Sequence, residues 1–325
     1  MALPDWIQQA PKMTMPSPLA FIGLLTLTWG TFAFFRQATV YLLPCKIQRY
    51  NSTDKGHTGG NWALVTGATD GIGFGFSQEL CARGFNVILM GRNEGKLQKR
   101  AAELRQQFPS SKVDTIIMEA VPVSSAVDEI ANGLPGKLTV LINNVGGAGG
   151  DWKPYLPFGE YKFEEAQATI DKNAVFMAQL TRALLPALSR AERSLVLNVS
   201  SMASWGVPYI CMYAASKGFV DSFTRALQGE CAAEKNGVDV LGLRVGQTST
   251  PGYNQPVSWF IPTARVMAKA GLDRVGCGKT IVWGYFWHWL QGLSFYVLPR
   301  FVLVKAMAKK MMALKKEEEA KSKRS

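Results

Sequence analysis

Tyr213 and Lys217 stand four residues apart in Tyr213-Ala214-Ala215-Ser216-Lys217, and Asn198-Val199-Ser200-Ser201 precedes them. Four residues is about one helical turn, so a phenol and an ammonium share one helix face. A free phenol titrates near pH ~10, too high for easy proton exchange at neutral pH. A neighbouring positive charge favours the phenolate, and a tenfold gain in its population corresponds to about 1.4 kcal/mol. Such a pair, with a serine hydroxyl at hand, makes a general acid for carbonyl reduction. His57 and His288 are the chain's two histidines, which argues against a histidine triad or a zinc site. Tyr and Lys at this spacing also arise by chance, so the reading depends on what positions them and what supplies the hydride.

The amino-terminal half offers a cofactor site. Trp62-Ala63-Leu64-Val65-Thr66 is an apolar run of strand type, followed by Gly67-Ala68-Thr69-Asp70-Gly71-Ile72-Gly73. Phe74 to Arg83 reads as an amphipathic helix closed by Gly84, and Phe85 to Met90 as a second strand. Glycines at 67, 71 and 73 let backbone approach a pyrophosphate, and the helix amino terminus offers free N–H groups and a positive partial charge. The order strand, glycine turn, helix, strand gives the glycines their meaning. It implies an α/β fold, a Rossmann-like doubly wound parallel sheet.

Thr66 to Gly73, Asn143-Asn144-Val145-Gly146, Asn173, the Ser200/Ser201 pair and Tyr213-x-x-x-Lys217 together resemble the short-chain dehydrogenase/reductase family, across residues 60–285. The resemblance gives each residue a role. Tyr213 donates a proton to the substrate carbonyl; Lys217 lowers the tyrosine pKa and holds the nicotinamide ribose; Asn173 supports a water-linked proton relay. A serine hydrogen-bonds the substrate oxygen. Ser201 takes that place by alignment on the strand Leu195–Val199, whereas Ser200 has the usual spacing to Tyr213; Ser201 is preferred if the Met202–Pro208 loop is one residue short. Gly67, Thr69, Asp70, Gly71, Ile72 and Gly73 belong to the cofactor loop. Glu119 is placed near the adenine, where the family usually has Asp. Asn144 is placed either in the sheet or against the nicotinamide ribose. Thr248 and Thr250 follow as cofactor contacts in Arg244-Val245-Gly246-Gln247-Thr248-Ser249-Thr250, where the family usually shows Pro-Gly. Pro251 to Pro262 sits where relatives carry a substrate lid, with Tyr253, Trp259 and Phe260 facing substrate or packing.

The second strand ends Met90-Gly91-Arg92-Asn93. An NAD site wants an acid there, about twenty residues past the glycine loop. The acid is missing; Arg92 and then Lys96 are available to a 2′-phosphate, and Glu94 is placed to begin the next helix. NADPH is the expected cofactor.

The 325 residues carry a formal charge of +12 with 47% apolar residues. No DNA-binding motif accompanies the charge, so nucleic acid is not expected; lipid headgroups or a polyanionic substrate such as an acyl-CoA account for it. Five scattered cysteines without metal-ligand spacing fit a reduced, cytosol-facing domain. Leu19 to Phe35 contains no charge, and the apolar run resumes after Arg36 as far as Leu43, near the length needed to cross a bilayer. Lys12 precedes it, whereas Arg36, Lys46, Arg49 and Lys55 follow, a bias that places the catalytic domain in the cytosol. No basic region or small-residue cleavage site suggests a removable signal peptide. On that topology Asn51-Ser52-Thr53 is an unmodified linker rather than a used glycosylation site.

At the other end, Ile281 to Val304 is apolar and aromatic. Its first part is expected to form the last strand. The remainder is a second span, an interfacial helix or a pocket cover, with Trp283, Trp287 and Trp289 favouring the interface. Lys305 to Arg324 reads as a solvated charged helix ending in Lys321-Ser322-Lys323-Arg324-Ser325, which resembles an endoplasmic reticulum retrieval signal. The expected domains are an anchor and linker over 1–58, a reductase domain over 59–285, and an apolar, basic-tailed extension over 286–325.

Within the family, the anchor, Asn-Asn-Val-Gly, Ser216 to Phe223 (Ser-Lys-x-Phe-Val-Asp-x-Phe) and the basic-tailed end most resemble membrane-bound very-long-chain 3-oxoacyl-CoA reductases, relatives of 17β-hydroxysteroid dehydrogenases. That resemblance implies NADPH-dependent reduction of a long acyl-CoA in fatty-acid elongation at the endoplasmic reticulum membrane. The alternative substrate is a sterol or specialised-metabolite ketone. A homodimer or elongation-complex partners are family expectations. A non-catalytic membrane partner on the same fold is opposed by the intact Tyr213/Lys217 pair and glycine loop.

Overall fold

The structure is a computed structural model that describes residues 17–51, 60–121, 124–148 and 155–322. Lys12, Lys55, Ser52-Thr53 of the sequon, the linker end 56–59 and Lys323-Arg324-Ser325 lie outside the described residues. The chain divides between Leu43 and Pro44 into two compact units.

The first unit contains helix α1 (Pro18–Ala38). Ser17 caps it, accepting from the Ala20 amide, and Pro18 begins it. The Thr26 and Thr28 hydroxyls donate back to the Ile22 and Leu24 carbonyls at 2.8 Å, so neither needs water. Leu19, Leu27, Trp29 and Phe35 all stand exposed. Residues Pro18–Tyr41 are long and apolar enough to cross a membrane, and among the described residues no other helix is.

The second unit begins with a strap. Ile47 and Tyr50 are buried, the Lys46 amide donates to the Val275 carbonyl, and the Tyr50 hydroxyl donates to Asp239 at 2.8 Å. The expected linker is thus folded onto the catalytic unit as far as Asn51, whose side-chain amide donates to the Arg83 carbonyl.

Seven parallel strands follow: β1 (Trp62–Thr66), β2 (Asn86–Gly91), β3 (Val113–Ile117), β4 (Leu138–Asn143), β5 (Ser194–Ser201), β6 (Val238–Val245) and β7 (Ile281–Trp283). Their spatial order is β3-β2-β1-β4-β5-β6-β7. Every residue of β1, β2, β4 and β5 is buried, as expected of strands covered on both faces. The covering helices are α2 (Gly71–Ala82), α3 (Glu94–Gln107), α4 (Ser124–Asn132), α5 (Phe163–Ile170), α6 (Phe176–Ser189), α7 (Cys211–Glu234) and α8 (Ala264–Leu272). Leu180, Leu184 and Leu188 of α6 recur at helical spacing and pack on Leu64, Leu141 and Val196. Between α2 and α8, Gly75 allows close approach: a Cβ there would lie 2.9 Å from the Ala264 carbonyl oxygen. The order reverses between β1 and β4, the switch point where doubly wound sheets open a crevice at their carboxyl ends.

Three short-to-long helices complete the chain: α9 (Phe286–Gly292), α10 (Ser294–Val297) and α11 (Arg300–Ser322). Two expectations are corrected here. Trp283 and Trp289 are core residues, 4% and 3% exposed, because β7 extends the sheet and α9 folds back over it. The charged tail is not merely solvated: Met311 is buried and, with Leu314, packs against Ile210, Tyr213 and Ala214.

Candidate active site

The first glycine turn is built for close backbone approach. Gly67 and Gly71 adopt φ of +63° and +54°, a region that side chains disfavour. A Cβ on Gly73 would lie 2.2 Å from the Gly67 carbonyl oxygen, so only glycine lets α2 start beside the strand end. The helix begins at Gly71, three residues earlier than the apolar pattern predicts, with Asp70 as its cap accepting the Gly71 amide at 2.9 Å. Asn144 donates to the Thr66 carbonyl at 3.1 Å, and its own amide donates to Thr66 Oγ1. Its side chain braces the turn, one of the two roles left open. Asn143 ties β4 to Asn198 and Thr181. This cradle fits a dinucleotide pyrophosphate.

At the end of β2, a Cβ on Gly91 would lie 2.8 Å from Thr69 Cγ2, so the strand end abuts the glycine turn. Arg92 is exposed and stands 3.6 Å from Glu119, bringing together two of the expected adenosine-side residues. Glu94 opens α3, as expected, and the Lys96 amide donates to the cap Asn93. Sequence reasoning missed Arg100. Its Nε donates to the Thr69 carbonyl, its guanidinium sits 3.6 Å from Asp70, and it lies 4.4 Å over the Phe74 ring. Two arginines therefore stand near the end of β2 and the glycine turn, Arg92 beside Glu119 and Arg100 on the Thr69 carbonyl.

At the ends of β4 and β5, Tyr213, Ser201, Lys217 and Asn173 come together. Ser200 is fully buried and donates to the Lys217 carbonyl at 3.3 Å, whereas Ser201 hydrogen-bonds the Tyr213 side chain. Ser201 is thus the hydroxyl beside the phenol. Burial raises the Tyr213 pKa, and the Ser201 hydrogen bond opposes that rise. The net direction differs from the lowering that proximity to Lys217 alone suggests, because desolvation disfavours the phenolate more strongly. Lys217 is 4% exposed, donates to the Val199 carbonyl at 2.8 Å, and lies 5.7 Å from the Tyr213 ring centre. Burial lowers its pKa to about 8, with the Asp221 carboxylate opposing and Lys172 adding to the fall.

Asn173 sits in a π-helical turn, Asp171–Val175, between α5 and α6. Such turns widen a helix and recur at functional sites. Its side chain donates to the Thr169 and Gly147 carbonyls at 2.8 and 3.1 Å and accepts the Gly147 amide at 2.9 Å. A Cβ on Gly146 would lie 2.6 Å from Asn173 Oδ1 and 3.2 Å from Lys217 Nζ, so the two side chains converge on that glycine.

Beyond β6, Thr248 is buried and the Thr250 methyl group lies 3.3 Å from where a Gly71 Cβ would stand, so this segment borders the glycine turn. Tyr253 packs inward and accepts a hydrogen bond from Gln247, while Trp259 stays exposed and meets Trp287 edge-on at 5.0 Å. Lys310 of α11 donates to Gln247 at 2.9 Å. No motif or spacing in the tail signals this cover over Tyr213.

A glycine-lined dinucleotide cradle facing a tyrosine–lysine pair defines an oxidoreductase class, and the chain belongs to the short-chain dehydrogenase family, whose model matches residues 61–259. Among curated relatives, the chain is 32% identical to a very-long-chain 3-oxoacyl-CoA reductase-like protein of Arabidopsis thaliana, covering 84% of each chain. It is 28% identical to the very-long-chain 3-oxoacyl-CoA reductase of Rattus norvegicus, over 89% of this chain and 91% of that one. It is also 29% identical to the inactive hydroxysteroid dehydrogenase-like protein 1 of Homo sapiens, over 75% and 74%. Among solved structures, a 7β-hydroxysteroid dehydrogenase superposes with a TM-score of 0.68 at 22% identity, over 81% of this chain and 99% of that one. A short-chain dehydrogenase of Escherichia coli CFT073 in complex with NADPH superposes with a TM-score of 0.60 at 23% identity, over 69% and 95%.

Proposed function

We propose that the protein reduces the 3-oxo group of a long-chain acyl-CoA with NADPH, as a membrane-anchored step of fatty-acid elongation at the endoplasmic reticulum. The observation that carries this reading is the Tyr213–Ser201–Lys217 constellation beneath the apolar residues Met311 and Leu314. The names of the curated reductase relatives support the substrate class.

Gly67, Thr69, Asp70, Gly71, Ile72 and Gly73 would hold NADPH, with Arg92 and Lys96 available to its 2′-phosphate, and the bound cofactor would supply the hydride. Glu119 would lie near the adenine, and Asn144, Thr248 and Thr250 would contact the nicotinamide half. Tyr213 is the proton donor: its raised pKa keeps the phenol protonated until charge develops on the substrate oxygen. Ser201 holds that oxygen beside the phenol; in a dry site each such bond contributes a few kcal/mol to the developing oxyanion. Lys217, fixed on the Val199 carbonyl, stabilises the phenolate left behind and would hold the nicotinamide ribose. Asn173 bonds Gly147 and, with Lys217, converges on Gly146; in this reading it supports a water-linked proton relay.

In this reading α1 crosses the membrane with the catalytic unit in the cytosol. The exposed Phe301, Val304 and Met312 of α11, flanked by Lys305 and Lys309, meet the lipid surface. The basic chain also suits the phosphates of an acyl-CoA.

The test is NADPH oxidation by detergent-solubilised protein given 3-oxoacyl-CoAs of increasing length beside ketosteroids. Turnover that improves with acyl length supports the proposal. Turnover of ketosteroids alone moves the substrate to sterol or specialised ketones, and no turnover at all places the protein with its inactive relative.

A further inference from the structure

The turn that leaves β6, Gly246 to Thr250, contains no proline, and a residue distant in sequence occupies the place from which it can be held. His288 of α9 is 0% exposed. Its Nδ1 accepts the Gly246 amide at 3.0 Å, which requires that nitrogen to be unprotonated. The ring proton therefore sits on Nε2, which lies 3.0 Å from the Gln247 carbonyl and 3.2 Å from the Phe260 carbonyl. Both oxygens only accept, so Nε2–H donates to the pair. A single imidazole thus joins the first two residues of the turn to the far end of the 251–262 loop.

Gly246 is shaped for this ring: a Cβ there would lie 2.7 Å from His288 Cδ2. Tyr285 closes the other side edge-on, with ring centres 5.2 Å apart. Burial lowers the His288 pKa, while its bonds to the Gln247 and Phe260 carbonyls oppose the fall, in keeping with a neutral ring. A histidine that merely filled the core would not need to bond three backbone groups of one functional loop.

We infer that His288 positions the Gly246–Thr250 turn against the cofactor, holding from outside the chain a turn that a proline would stiffen from within. The consequence runs through Thr248 and Thr250, which border the glycine turn only while Gly246 and Gln247 keep their direction. The inference rests on the NADPH reading for its functional consequence, though the clasp itself does not involve the nucleotide.

The test uses full-length protein in detergent with His288→Leu, His288→Gln and His288→Asn. The Asn amide oxygen can replace Nδ1 as acceptor for Gly246, and the Gln amide can reach the site of Nε2. Amide hydrogen exchange over 245–250 is measured without nucleotide, and NADPH affinity by fluorescence titration. The expected result for His288→Leu is faster exchange confined to 245–250 and roughly tenfold weaker NADPH binding, as for loss of a buried hydrogen bond. KM for NADPH should rise while kcat changes little, and His288→Asn should recover protection at Gly246 and most of the affinity. Unchanged local exchange, or exchange raised equally in all strands with no recovery by Asn, overturns the inference. Wild-type protein that fails to bind NADPH refutes the cofactor reading instead, whereas wild-type binding matched by His288→Leu refutes only the role of His288.

Discussion

Asp221 lies one helical turn beyond Lys217 and accepts both Nε and Nη2 of Arg244, at 2.9 and 2.6 Å. The two side chains are 6% and 12% exposed. One carboxylate thus serves two cations: it neutralises Arg244, which also lies 5.4 Å over the Trp205 ring, and it supports the charge on Lys217. Asp221→Asn leaves a buried guanidinium without its counter-charge, a loss of about 3–5 kcal/mol. Thermal unfolding should fall by on the order of 10 °C. An unchanged melting temperature would show that Arg244 finds another partner.

Lys217 gives reduction a basic limb. Its folded pKa of about 8 lies below the ordinary 10.5, so the ammonium is present below that value and lost above it. Tyr213 is shifted upward and stays protonated over the same range. Turnover should therefore hold through neutral pH and fall above about 8, with an apparent value belonging to the pair. The same lowering acts on stability with the opposite sense. The cost of burying the ammonium is full below pH 8 and relieved as pH rises toward 10.5, so this group's contribution grows across that window. Lys217→Met should abolish the basic limb; a profile still breaking near the same pH would assign it elsewhere.

In the proposed reading Arg92 discriminates the two nicotinamide cofactors. It is exposed and its partner Glu119 stands 3.6 Å away, so it is free to turn toward a phosphate. Arg92→Ser should weaken NADPH roughly tenfold, the scale of a charged hydrogen bond, and leave NADH unaltered. Equal losses for both nucleotides would place Arg92 outside the 2′ subsite.

Met311 ties the carboxyl-terminal helix to the site. Met311→Ala should cost about 2 kcal/mol, at the low end for a buried methionine, and raise KM for a long acyl substrate while NADPH affinity holds. Phe301→Ala, on an exposed position, is the control for α11. Identical kinetics in both variants would separate the helix from substrate binding.

What could be read from the chain was what depends on local backbone or short spacing. Gly67, Gly71 and Gly73 follow from one turn's geometry, and Tyr213 and Lys217 from one turn of helix. The doubly wound parallel sheet followed from the strand, glycine turn, helix and strand over residues 62–90 and from the family resemblance. Its seven strands and their order came from the structure. Residues whose partner is remote were invisible: Arg244 for Asp221, Thr69 for Arg100, Gly246 for His288, Tyr213 for Met311. Composition misled at Trp283 and Trp289, because an aromatic's preference for an interface does not say on which side of a sheet edge it falls. The strap at Ile47 and Tyr50 is too short to carry a period. Nothing in Asp171–Val175 announces the widened turn that sets Asn173.

The most direct measurement mixes wild-type and Tyr213→Phe protein with NADPH and a long-chain 3-oxoacyl-CoA, following nucleotide oxidation and chromatographing the product. Wild-type protein should form 3-hydroxyacyl-CoA in step with NADPH consumed. Tyr213→Phe should bind NADPH normally and lose about 10²–10⁴-fold in rate, the range of a positioned general acid. A Tyr213→Phe protein that reduces the substrate at the wild-type rate would contradict the assignment of Tyr213 as proton donor.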